Sequence, residues 1–267
     1  MQPLDQPGDV LVSGNRRNFD GKIDAMKGAA TTLVNQLYGE HETVEDFWVA
    51  LVPYVASVNI GPGRTRSPPY GGNGDNNWTP TNMNEANSAQ DNGRGPNLGC
   101  GPPILPLTAE KTNVLASIAG MLPWHRGGTM ANLGLVWGWR VLSPRWRGLW
   151  GGTSPAELPL DYYMPLMDKV LIILTDGENQ WFDWSGGQPN SPSADYTAYG
   201  RPTESRLGVF NGGSAATTVI NNRMLAVCTA IKAEGVIIYA ITFQLSSTSA
   251  QNLYPNSPRR RRTTSIR

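Results

Sequence analysis

The run Val170-Leu171-Ile172-Ile173-Leu174-Thr175-Asp176-Gly177 restricts what this chain can fold into more than any other stretch. Its unbroken aliphatic start suits a strand at the centre of a parallel sheet covered on both faces. Gly177 lets the backbone turn without steric cost, so Asp176 is expected at the strand's carboxyl end. In open α/β sheets, ligands collect in the crevice at the carboxyl ends of the strands. A carboxylate held there invites a cation.

The flanking periodicities predict an alternating order of elements. Between Gly21 and Gly39, Ile23, Met26, Ala30, Leu33, Val34 and Leu37 recur at three and four and make one helical stripe. From Asp46 to Ile60, β-branched and aromatic types predominate, which predicts a strand bent at Pro53, a hint of a sheet edge. Thr108 is expected to start a helix that buries Val114, Leu115, Ile118, Met121 and Leu122 and ends at Pro123; Thr129 is expected to start another, with Leu133, Val136, Trp137 and Val141 inward, ending before Ser143-Pro144. Ser214 to Glu234 predicts a helix burying Val219, Leu225, Cys228 and Ile231, capped by Gly235, and Val236 to Leu245 the next strand. Gly, Pro and Asn dominate residues 61–106, and residues 145–166 and 178–213 are also irregular, so all three are expected to be insertions. Helix, strand, helix, helix, strand, helix, strand argues for a Rossmann-like α/β domain over residues 1–245, an open, mostly parallel sheet with helices on both faces. A first strand is missing from that order.

Composition excludes several function classes. The 267 residues, 39% of them hydrophobic, suffice for one sizeable core. Net charge is +1, but Arg259, Arg260, Arg261, Arg262 and Arg267 crowd the last residues and leave an acidic body, unlike the spread basic face of a nucleic-acid binder. Residues 246–267 are expected to be a solvated, disordered tail. No stretch approaches the roughly 20 apolar residues that span a bilayer, and Met1-Gln2-Pro3-Leu4-Asp5 lacks the apolar core of a signal peptide. Cys100 and Cys228 read as a loop thiol and a buried helical thiol, and His41 and His125 stand in unrelated contexts, so no Ser-His-Asp or Cys-His pairing can be drawn.

Three separated loops offer oxygen ligands of the kind Mg²⁺ or Mn²⁺ accepts. They are Asp5-Gln6-Pro7-Gly8-Asp9, Gly127-Gly128-Thr129 and Thr175-Asp176-Gly177. In an alternating fold all three are expected at the carboxyl edge of the sheet. These loops, together with Lys22-Ile23-Asp24-Ala25-Met26-Lys27, Met130-Ala131-Asn132-Leu133-Gly134-Leu135, Glu178-Asn179, Cys228-Thr229-Ala230-Ile231-Lys232 and Gly235-Val236-Ile237-Ile238-Tyr239-Ala240-Ile241-Thr242-Phe243, give the chain its resemblance. It resembles a von Willebrand factor A domain, and specifically that of bacterial TadG-like Flp pilus assembly proteins. The stretches run in order over most of residues 4–245.

The resemblance implies a non-enzymatic binding or adhesion module in the bacterial cell envelope or outside the cell. Its cation would offer an open coordination position to an acidic side chain of a partner protein. Asp5, Thr129 and Asp176 match the family's first-loop aspartate, second-loop threonine and third-loop aspartate. Both first-loop hydroxyl ligands are absent: Pro7 brings no side-chain oxygen, and Asp9 substitutes a carboxylate. The ends depart too, since family members carry an apolar strand ahead of the leading aspartate and a further helix and strand at the other end. The sequence therefore reads as a fragment or frame-altered copy of a longer envelope protein. Two other functions compete: a metal-free structural remnant, and a hydrolase using Asp5, Asp9 and Asp176 to activate water, ranked last for want of a general base. Simpler roles also exist for single residues, with Asp176 as a turn cap, Thr129 as a helix N-cap, and Trp181 and Trp184 as packing for an insertion.

Overall fold

The computed structural model describes residues 19–61, 102–121, 127–152, 154–175, 178–182, 197–200, 202–210 and 213–242. These form a mixed α/β structure of four helices and six short strands, in the order α1 (Phe19–Tyr38), β1 (Val49–Leu51), β2 (Leu105–Thr108), α2 (Lys111–Ala119), β3 (Gly127–Thr129), α3 (Ala131–Leu142), β4 (Val170–Thr175), β5 (Gln180–Phe182), α4 (Gly213–Ala233) and β6 (Ile237–Thr242). The strands make three two-stranded pairs: β1 with β2 antiparallel, β3 with β5 antiparallel, and β4 with β6 parallel. Mixed α/β character and one parallel pair agree with the expected class. The continuous, mostly parallel sheet does not form among the described residues, because two of the three pairings are antiparallel and no ladder joins one pair to another.

The parallel pair is the best-developed element of the fold. Val170 to Thr175 lie in register with Ile237 to Thr242, as their β-branched and aliphatic residues favour. Leu171, Ile173 and Ile238 point to one face, where Ala131 and Leu135 of α3 and Met224, Cys228 and Ile231 of α4 cover them. Gly235, at φ +76°, makes the tight turn from α4 into β6. The opposite face departs from the expected burial on both sides. Val170 is 41% exposed there and Tyr239 54%, with Ile172 and Ile241 also open.

A second body is built on α1 and the β1–β2 pair. Val34 and Tyr38 of α1 pack with Val114, Ile118 and Met121 from α2 and its end against Val49 and Leu51. On the other side of β1, Trp48, Ala50 and Val52 meet Ile104, Leu107, Val141, Trp150 and Leu158. The long strand expected from Asp46 shrinks to three residues, since the chain leaves the ladder just before Pro53, which has no N–H to donate. Thr108 ends a strand instead of starting a helix, and α2 stops at Gly120, short of Pro123.

The predicted interior of the helices shifts by one position in places. In α4, Ile220 and Met224 are buried while Leu225 is exposed. In α3, Gly134 and Leu135 are buried where Val136 and Trp137 were expected, and the latter two are only half-buried. Cys228 is a buried thiol on α4, as predicted, and Cys100 lies outside the described residues. No helix of the described residues is long and apolar enough to cross a membrane.

Candidate metal site

Of the four candidate ligands, Thr129 belongs to the described residues, while Asp5, Asp9 and Asp176 lie outside them. Thr129 is the last residue of β3 and is 1% exposed. It does not start α3 or cap it: the helix begins at Ala131, after Met130, and has no side-chain cap from that position. Thr129 sits in a strand because it pairs with Gln180, while Gly127 and Gly128 pair with Phe182 and Trp181. Trp181 is buried against Met130, Leu207, Ala216 and Ile220, so it packs β5 onto α4, and Trp184 lies outside the described residues.

Asn179 fastens this region together. Its side-chain oxygen accepts the Ala131 N–H at 2.7 Å, satisfying one of the first-turn amides that a helix leaves without an internal partner. Its amide nitrogen donates to the Asn221 side-chain oxygen at 2.9 Å and to the Met224 sulfur at 3.3 Å. Asn179 is 1% exposed, so these bonds are shielded from water. One step along α3, Asn132 donates to the Tyr199 hydroxyl at 2.6 Å, and its own side-chain oxygen is buried with no hydrogen-bond partner among the described residues.

Thr129 and Thr175 line the same cavity, and two further hydrogen bonds tie that end together. The Tyr54 hydroxyl donates to the Leu174 carbonyl at 3.0 Å, and Met130 N–H donates to the Val55 carbonyl at 2.9 Å. The carboxyl end of β4, the end of β3 and the chain leaving β1 thus meet in one place. Asp176 directly follows Thr175, and Asn179 is three residues beyond it. Sequence reasoning missed Asn179, Asn132 and Tyr54 as organisers of this end. Asn179 carried one signal, an amide side chain just past the acidic loop.

The donor set of Asp5, Asp9, Asp176 and Thr129 is all oxygen, which fits a hard cation in chemistry; Pro7 leaves one family position without a donor. Among the described residues no three His, Cys, Asp or Glu side chains gather as a metal site. Away from this end, Lys169 is strongly perturbed. Burial, with the nearby Arg147 guanidinium, lowers its ammonium pKa to about 8, and Asp161 opposes that shift. The ammonium donates to the Leu142 carbonyl at 2.6 Å and to the Leu160 carbonyl, and lies 4.6 Å from the centre of the Tyr162 ring. Comparison with known protein families, curated proteins and solved structures finds no match.

Proposed function

We propose that the chain is a non-enzymatic binding module of the von Willebrand factor A type, resembling the TadG-like Flp pilus assembly component, and that it engages a protein partner through a divalent cation. One observation supports this reading: Thr129 is paired with Gln180 and Ala131 is bonded to Asn179, so the chain just beyond the segment containing Asp176 lies beside Thr129. A site without a local motif requires loops far apart in sequence to converge at one rim, and the pairing of Thr129 with Gln180 is in keeping with that for two of the three. Asp176, Asp5 and Asp9 would supply charge, and Thr129 a neutral oxygen. A bound Mg²⁺ or Mn²⁺ would offer a Lewis-acidic position to a carboxylate of the partner. A setting in the cell envelope or at the cell surface belongs to the same proposal.

Titration calorimetry and thermal melting of EDTA-treated protein test it. Mg²⁺ or Mn²⁺ should give binding heat and raise the melting temperature, and Asp176→Asn should remove both. Absence of heat and of any shift in the unaltered chain overturns cation binding and leaves the metal-free structural reading.

A further inference from the structure

The stretch from Trp137 to Trp150 holds four tryptophans and three arginines in fourteen residues, and no Asp or Glu lies between Glu110 and Glu157. It spans the last turns of α3 and the 3₁₀ turn Pro144–Trp146 that follows. Trp146 stacks on the buried Trp150, with ring centres 5.2 Å apart and planes at 30°, and meets Trp137 edge-on at 5.5 Å and 70°. Trp150 is rooted in the core with Ile104, Leu107, Val141 and Leu158, which holds this aromatic platform in place.

The Arg140 guanidinium stands in a corner of the platform, 4.2 Å from the centre of the Trp137 ring and 5.7 Å from that of Trp146. Ring faces stabilise a cation but provide no oxygen for its five N–H donors. Arg147 finds such oxygens at Asp161 and the Pro159 carbonyl, Arg206 at Glu204, and Arg223 at the Leu207 carbonyl. Arg140 finds none among the described residues, and burial lowers its pKa from the usual value with no carboxylate opposing the shift. It is half-buried, so part of the side chain stays within reach of solvent.

We propose that the Arg140 corner binds a carboxylate, which takes the edge of the guanidinium while its carbon skeleton rests on the open parts of Trp137 and Trp146. A planar carboxylate matches the guanidinium fork through two parallel hydrogen bonds. Arg147 is already engaged by Asp161 and adds no second arm, so a single negative charge suits the corner better than a doubly charged phosphate. Because the rings order the side chain beforehand, less rotamer freedom is lost on binding. The exposed Arg145 strengthens the local field that draws an anion. Arg140 is at the end of α3 remote from Thr129, so this site works without a cation.

Small organic acids and acidic side chains of a protein share this chemistry, and two probes separate them. The full chain in EDTA is titrated with benzoate, and with an end-blocked tetrapeptide containing one aspartate, while the arginine Nε–H resonances are followed. Saturable movement of the Arg140 signal, with a Kd of about 1 mM or tighter, is expected. Tighter benzoate marks a small acid as the ligand, and tighter peptide marks a protein side chain. Arg140→Lys keeps the charge but not the fork and should weaken binding by about tenfold or more, whereas Arg145→Gln should do so by about threefold or less. Near-ultraviolet circular dichroism checks that the platform survives in each variant; if the lysine variant loses it, the Arg140 signal of the unaltered chain decides. No saturable movement with either probe overturns the proposal, the result expected if a carboxylate of the chain itself fills the corner. Inorganic phosphate bound as tightly as the better probe also overturns it, as does unchanged affinity in Arg140→Lys.

Discussion

Lys169 shows how a single residue links this fold to pH. Its ammonium is held among carbonyl oxygens but largely out of water, and the loss of hydration outweighs what the carbonyls return. With a folded pKa of about 8 against the usual 10.5, the charged form is penalised in the native state at every pH below 8. Between those two values the unfolded chain holds a proton that the folded one has released, so stability rises with pH across that window. Melting temperatures measured from pH 7 to pH 10 should climb for the unaltered protein relative to Lys169→Met, which removes the titrating group and keeps the stem. Parallel curves for the two proteins would show that Lys169 titrates normally. The Arg147–Asp161 ion pair nearby, at 2.7 Å, is largely exposed and adds little by itself.

At the scale of elements, α3 is the member both bodies share. Its Leu135 faces the β4–β6 pair, and its Val141 faces the β1 side. The close approach occurs at Gly134, where a Cβ would lie 2.6 Å from Cδ1 of the Tyr54 ring. Gly134→Ala should therefore cost roughly 1–3 kcal/mol through overpacking, exceeding the gain in helix propensity of about 1 kcal/mol. Gly28→Ala in α1 has nothing within 4 Å and should be neutral or stabilising. Urea denaturation of both variants checks the contrast, and equal effects would mean that Tyr54 yields freely.

The helices and the parallel pair were legible in the sequence because each carries its own period: the stripe of α1, the caps around α4, the aliphatic run of β4. The shorter strands were not. Leu105-Pro106-Leu107-Thr108 contains a proline and too few residues to show alternation, and it is tolerated in β2 as a partner of β1 alone among the described residues. Gly127-Gly128-Thr129 opens with two glycines that disfavour a strand, and its pairing with β5 is supported by the packing of Trp181 and Met130 on α4. For the candidate site, the sequence pointed to the carboxylates and Thr129. It could not show the clasp by Asn179, which depends on residues 48 positions apart.

Across the whole molecule, the cores divide between a body of α3, α4, β4 and β6 and a body of α1, α2, β1 and β2. Among the described residues they touch through α3 and through hydrogen bonds near Tyr54, and no ladder of backbone bonds joins the strand pairs. Two cooperative units are therefore expected in native-state hydrogen exchange, with amides of β4, β6 and α4 opening at a free energy different from those of β1 and α2. A single common opening energy would show that α3 couples them fully.

The Asn179 clasp also bears on how dearly a ligand would be held. Thr175 is anchored in the β4 ladder and Asn179 is anchored by its side chain, so only Asp176, Gly177 and Glu178 separate two fixed points. Fixing a residue's backbone costs about 1–2 kcal/mol in lost conformational freedom. A guest that grips Asp176 has at most this short span to immobilise, not a long coil, and keeps most of its intrinsic affinity.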